Sequence, residues 1–303
     1  MSTIYDVIII GAGPGGISAA IYARRAGLNS LMLEASYVSG GQIVNTAEVD
    51  NYPGLPGVTG MELANKLKAH AEAMGVNSSR EAVNGITVEQ GLKRVSTQAN
   101  QYLSKNVIIA TGAQHRTLGI PGEKELAGMG VSYCATCDGA FFKDKTVAVI
   151  GGGDVAVEEA IFLSRICQRV YLIHRRDELR AAKVLQDKLF ATENIDVLWN
   201  QVPKQINGDE QVEKVVLADV RSQISQEVDV QGVFVAIGMN PNTEHFKDLV
   251  SLDASGYIKA NEDCRTSAAG IYAVGDVRTK LLRQIITAAA DGANAVTSLQ
   301  EDL

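Results

Sequence analysis

Short, wholly apolar runs recur along this chain, several of them followed at once by glycine. Asp6-Val-Ile-Ile-Ile10 has the length of one buried strand, and Gly11-Ala-Gly-Pro-Gly-Gly16 then opens a helix running to about Ala26. Ser30 to Glu34 reads as a second strand ending in an acid, which completes a β-α-β unit. Residues 36–58, rich in Gly, Asn and Pro, read as loop, and Met61 to Met74 carries apolar residues at helical spacing. From Ile86 to about Val107, alternating runs broken by Gln90-Gly91 and Asn100 predict a small β-meander. Val107-Ile-Ile-Ala110 is a further buried strand, closed by Thr111-Gly112.

The pattern then restarts. Thr146 to Ile150 is strand-like, Gly151-Gly-Gly-Asp-Val-Ala156 opens a helix, and Val170 to Ile173 is the next strand, so the β-α-β unit is repeated within one chain. Val215 to Val220 and Val233 to Ile237 continue this second unit. Gly270 to Asp276 predicts a strand ending in Gly-Asp, followed by a helix from about Gln284 to Leu299. The fold class is α/β, with two Rossmann-like dinucleotide-binding domains, the second inserted into the first. The boundaries fall near 114 and 245, giving 1–114 with 245–303 for one domain and 115–244 for the other.

The repeated turns carry the chemistry of phosphate binding. In each, the first glycine permits a tight turn, the second lets backbone amides approach a pyrophosphate, and the third small residue allows close packing of helix on strand. These are Gly11, Gly13 and Gly16, with Pro14 between them, and Gly151, Gly153 and Ala156, with Asp154 between them. The helix amino terminus favours the anion. The ends of the second strands differ. Glu34 stands 23 residues after Gly11, and His174 stands 23 after Gly151, with Arg175, Arg176 and Arg180 following. An acid accepts hydrogen bonds from ribose hydroxyls, whereas guanidinium forks suit a 2′-phosphate. The first site therefore suits FAD or NAD and the second NADP.

Cys134-Ala-Thr-Cys137-Asp138 lies just ahead of the second turn. Structural zinc normally takes four ligands, and Cys167 and Cys264 form no second pair, so redox cycling of Cys134 and Cys137 is the better reading. Asp138 is either an acid–base group for the dithiol or a turn and helix-capping aspartate. Cys167, expected in mid-helix, and Cys264 read as small core residues. His70, His115 and His245 lack ligand spacing and read as surface or packing residues, and no metal is expected.

Composition narrows the setting. Among the 303 residues, 46% are hydrophobic and 21% charged, as in a globular protein, and the longest apolar runs fall far short of the roughly 20 residues that span a bilayer. A net charge of −7 argues against a general nucleic-acid binder. No secretory signal precedes the first strand, so a cytoplasmic location is expected, with exposed thiols largely reduced.

Taken together, the residues resemble the low-molecular-weight, bacterial-type thioredoxin reductases, FAD-dependent pyridine nucleotide-disulfide oxidoreductases, along essentially the whole chain. The matching pieces, in family order, are Gly11 to Gly16, Gly40-Gly41-Gln42, Asn51-Tyr-Pro-Gly54, Ala110-Thr111-Gly112, Cys134 to Asp138, Gly151 to Asp154, His174 to Arg180, Gly275-Asp276 and Arg283-Gln284-Ile285. The resemblance implies FAD held noncovalently by the first domain, with Asp276 near the ribityl chain and Arg283, Gln284 and Ile285 near the isoalloxazine. It implies NADPH on the second domain, Cys137 as the sulfur nearer the flavin, Cys134 as the one exchanging with thioredoxin, and a homodimer. Electrons would run from NADPH through FAD and the Cys134–Cys137 pair to thioredoxin. Nicotinamide and disulfide, both on the inserted domain, must each reach the flavin, so rotation about the two crossings is expected.

Ala140 stands where some relatives carry an aromatic in the thioredoxin-docking region, so partner fit is expected to differ slightly. The intact basic motif argues against the NADPH-independent relatives, and no thioredoxin-like extension is expected ahead of the first domain. Two other readings stay open: a flavin oxidase or reductase for another disulfide, and an FAD-containing redox sensor without turnover.

Overall fold

The computed structural model describes residues 3–46, 49 and 51–302, with the side chain of Asn45 excepted. The chain divides into two compact units. One runs to Gln114 and resumes at Asn240; the other is His115–Met239. The return crossing thus falls ahead of the position near 245 expected from pattern. The reason lies in hydrogen bonds: Asn242 donates its backbone N–H to Gly112 O at 3.0 Å and its Nδ2 to Thr111 O at 2.8 Å, and Thr243 Oγ1 donates to Gly256 O. A two-stranded sheet of Ala113–His115 with Met239–Pro241 carries both crossings.

In the first unit, strand Ile4–Ile10 is parallel to Ser30–Leu33 on one side and to Gln101–Ile109 on the other, with Ile8 opposite Leu31 and Val107. Val7, Ile8 and Ile9 are fully buried, as expected of a parallel strand covered on both faces. Gln101–Ile109 unites two elements that the sequence separates, the end of the meander and the buried strand. Its first half pairs antiparallel with Leu92–Thr97, which pairs in turn with Val83–Glu89, and its second half pairs parallel with Ile271–Ala273. The fork arises because Gln101 to Lys105 is only partly apolar, whereas Asn106 to Ile109 is buried throughout.

Helix Pro14–Arg25 begins with proline at its first position, where the missing N–H costs nothing. Helix Gly60–Ala73 starts from a Thr59–Glu62 capping box. Helix Ile285–Glu301 crosses Pro14–Arg25 so closely that a Cβ on Gly292 would stand 2.3 Å from Gly15 O, and Ser18 Oγ donates to Ala289 O at 2.6 Å. The predicted final strand is short: Ile271–Ala273 gives way to a 3-10 turn at Gly275–Val277.

The second unit holds five parallel strands in the order Ile195–Trp199, Arg169–His174, Thr146–Gly151, Gly232–Ala236, Val131–Ser132. The strand expected around Val215 is present in this unit, as Lys214–Asp219, in a separate antiparallel sheet with Gln201–Asn207 and Ser225–Asp229. Helix Asp154–Leu163 ends before Cys167, correcting the mid-helix placement. Cys167 sits buried in the turn that follows, its N–H on Leu163 O.

Candidate active site

The first glycine turn is shaped by contact on one side and openness on the other. Gly11 has φ +109°, and a Cβ on Gly16 would stand 1.9 Å from Gly11 O, so the helix start is pressed onto the strand end. A Cβ on Gly13, in contrast, would meet no atom closer than Gly40 O at 4.0 Å, leaving its backbone approachable. Gly40 donates its N–H to Ala12 O at 2.7 Å, and Gly41 lies against Gly13. Gln42 Nε2 donates to Ala113 O, Thr111 Oγ1 donates to Asn242 O, and Asn51 Nδ2 donates to Gln284 Oε1 at 3.0 Å. Ile285 joins a small apolar cluster with Ile43, Val49, Leu63 and Ala64.

Glu34 receives the Ala12 N–H at 2.6 Å on one oxygen and the Ser36 N–H at 2.7 Å on the other. Its carboxylate thus secures the glycine turn. Asp276 Oδ1 is buried without a hydrogen-bond partner, and burial pushes its carboxyl pKa up against the pull of Lys280 and Arg283. An orphaned buried oxygen of this kind suits a ligand hydroxyl. The Arg283 guanidinium lies 4.0 Å over the Tyr257 ring, with its Nε buried and unpaired.

Beneath Asp276 lies an ionic cluster. Asp291 accepts from Gly275 N–H at 2.8 Å, from Arg278 Nε and a terminal guanidinium nitrogen at 2.9 and 2.6 Å, and from Lys280 Nζ at 2.8 Å. Burial alone would raise the Asp291 pKa; the Arg278 and Lys280 hydrogen bonds outweigh it and hold the carboxyl below its usual range.

In the second unit, a Cβ on Gly153 would meet nothing within 4 Å, while Gly151 is closely packed against the buried Ala156 and the partly buried Ala236. Asp154 Oδ1 accepts from Ala182 N–H at 2.7 Å, and Arg180 N–H donates to Gly152 O at 2.8 Å, so residues 180–182 are tied to both sides of the turn. Arg175, Arg176 and Arg180 are exposed, and no carboxylate pairs with their guanidinium groups among the described residues. His174 is buried under Gly152 and edge-on to Trp199. Burial lowers its pKa, and Nε2 is unpartnered.

Cys134 and Cys137 are joined as a disulfide. Cys134 caps the one-turn helix Ala135–Asp138, its carbonyl accepting from the N–H groups of Cys137 and Asp138 at 3.2 and 3.1 Å. Ser132 Oγ accepts the Cys134 N–H and donates to Asp138 Oδ2 at 2.6 Å. The Asp138 side chain caps no helix. Burial raises its pKa, opposed by the Ser132 hydroxyl, and Oδ1 has no partner, so a protonated Asp138 has a proton to give. The remaining thiols are buried and inert: burial pushes Cys167 up to about 11 and Cys264 to about 12. His115 stacks on Tyr133 and His245 stands edge-on to Phe246, and burial lowers the pKa of His115.

Sequence reasoning missed Ser132, Glu159, Lys280 and Asp291. The last is the one acid in the interior of an alanine-rich helix, whose only other acid is its final residue Glu301, a signal that could have found it. Among the described residues no three of His, Cys, Asp or Glu gather as a metal site, and no helix is long and apolar enough to cross a membrane.

The chain is 46% identical to the thioredoxin reductase of Bacillus subtilis (strain 168) over 298 residues, 98% of this chain and 94% of that protein. It matches the crystal structure of thioredoxin reductase from Streptococcus pyogenes with a TM-score of 0.94 and 44% identity, covering 99% of this chain and 98% of that one. Thioredoxin reductase from Lactococcus lactis, solved in what is described as its FR conformation, matches at 45% identity and 98% of each chain with a TM-score of 0.67. The model of the pyridine nucleotide-disulphide oxidoreductases spans residues 5–292. With two glycine turns, three exposed arginines after the second and a disulfide in place, the chain belongs to the pyridine nucleotide-disulphide oxidoreductase family.

Proposed function

We propose that this enzyme is a thioredoxin-disulfide reductase, using FAD on the first unit and NADPH on the second. The observation that carries it is the Cys134–Cys137 disulfide with Asp138 held beside it, on the unit that bears the unpaired arginines. The open Gly13 backbone, the secured Glu34 and the orphaned Asp276 oxygen fit a flavin dinucleotide; the open Gly153 and the three free guanidinium groups fit a 2′-phosphate. When bound, the nicotinamide and flavin supply two electrons to the protein disulfide. Opening the S–S bond takes two electrons and two protons, and Asp138 stands where it can move one of them. Cys134, once deprotonated, attacks one sulfur of the acceptor disulfide and releases the other as a thiolate; Cys137 then attacks the Cys134 sulfur of this mixed disulfide, releasing the acceptor's second thiolate and closing the pair again, and the two protons end on the acceptor thiols.

The units turn about the crossings at Ala113–His115 and Met239–Pro241 between half-reactions. Two compact units joined by two crossings support this. The enzyme works in the cytoplasm as a homodimer, a reading supported by its few cysteines and by its family resemblance. The test is NADPH-dependent reduction of thioredoxin by the FAD-loaded protein, with NADH alongside. Turnover lost in Cys134→Ser and in Cys137→Ser, but with flavin still bleached by NADPH, supports the reading. Thioredoxin reduction retained in either variant overturns it.

A further inference from the structure

Helix Asp154–Leu163 begins at the second nucleotide turn, and one of its side chains points away from that turn to the thiol pair. Glu159 Oε1 accepts the N–H of Ala135, the residue after Cys134, at 3.3 Å, while Oε2 is buried with no partner. The Ala135 N–H directly follows the capping residue Cys134, so a carboxylate held on it brings a negative charge up beside the exchanging thiol. We propose that Glu159 is a positioning residue of the thiol exchange, tying the nucleotide-turn helix to the thiol helix and restraining ionisation of the Cys134 thiol.

The electrostatic argument is direct. Once the disulfide is opened and each sulfur has gained a proton, attack on an acceptor requires Cys134 to release its proton. An ionised Glu159 on the adjacent N–H disfavours the second negative charge; a neutral Glu159 does not. Burial, opposed by the Ala135 N–H, pushes Glu159 up to about 7, so the restraint comes into force across neutral pH. Of the ionisable groups on elements packed against this helix, Asp138 lies on the thiol helix, Arg169, Tyr171 and His174 lie on strand Arg169–His174, where Arg169 pairs with Asp196, and Lys183, Asp187 and Lys188 lie on Lys183–Phe190, where Lys183 and Asp187 pair with each other. Asp154 and Glu158 share the helix of Glu159. None of these sets the Glu159 shift.

The inference rests on the reading of Cys134 as the exchanging thiol, and the test separates the two. FAD-loaded protein is reduced with dithiothreitol and alkylated with iodoacetamide from about pH 5.5 to about 9, with each cysteine followed by peptide mass spectrometry. In the unsubstituted protein, Cys134 labelling should rise with pH more gradually than a single ionisation. Glu159→Gln should restore a single steep ionisation at lower pH and speed Cys134 labelling about threefold to tenfold at neutral pH, whereas Glu158→Gln should leave the profile unchanged. A Glu159→Gln profile equal to the unsubstituted one, or the same shift in Glu158→Gln, overturns the proposal. Should Glu159→Gln fail to fold, a single steep ionisation in the unsubstituted protein overturns it just as well. Preferential labelling of Cys137 in the unsubstituted protein would instead defeat the assignment of the exchanging thiol.

Discussion

The two glycine turns are built on one plan and differ in what happens to charge. In the first unit charge is turned inward: Glu34 is occupied by two backbone N–H groups, and Asp291 pairs with both Arg278 and Lys280 below Asp276. In the second, charge is left outward, with Arg175, Arg176 and Arg180 exposed and unpaired. A buried paired cluster fixes geometry but gives a ligand nothing new to neutralise, whereas unpaired guanidinium groups gain partners only when a dianion arrives. The comparison separates a site made to retain its ligand from one made to exchange it.

Removing the inward charge should have the largest effect. Asp291→Ala leaves Arg278 and Lys280 uncompensated, and a loss of about 4 kcal/mol is expected in thermal or urea unfolding of the first unit. Arg175→Ala with Arg176→Ala should leave stability unchanged, and the contrast fails if the two variants unfold alike. Gly16→Ala comes next, at roughly 3 kcal/mol, because the added Cβ meets Gly11 O, while Gly13→Ala should fold normally yet weaken FAD retention on gel filtration. Equal stability losses for both would show that packing alone does not distinguish these glycines.

The arginine pair should matter chiefly for one ligand. The double substitution should raise KM for NADPH roughly 30- to 100-fold, about 2 to 2.7 kcal/mol, and change that for NADH less than about threefold. The smallest effect concerns Glu159. Its folded pKa is raised, so the folded state binds more protons than the unfolded one between about pH 4.5 and 7, and stability falls as pH rises through that window. Glu159→Gln should remove a slope worth on the order of 2 kcal/mol in pH-dependent melting.

What could be read from the sequence followed from local physics. Glycine spacing, apolar runs and the C-x-x-C motif each depend on neighbours a few residues away, so Gly11, Gly16, Cys134 and Cys137 were visible in advance. Glu159 was not, because its partner Ala135 lies across a helix contact with no periodic signature. The fork in Gln101–Ile109 was hidden for a related reason: a strand that changes partners midway looks like two strands when judged by burial pattern alone. Cys167 reads as helical in the sequence because no Gly or Pro follows Leu163 to mark the stop there.

The same forked strand sets an order of events during synthesis. The second unit is one continuous stretch of chain, so all of its sheet partners are available once Met239 has left the ribosome. The first unit must wait for Ile271–Ala273 and for helix Ile285–Glu301, which packs on Pro14–Arg25. Because domains fold as units while the chain emerges, the inserted half is complete while the half that encloses it is still open.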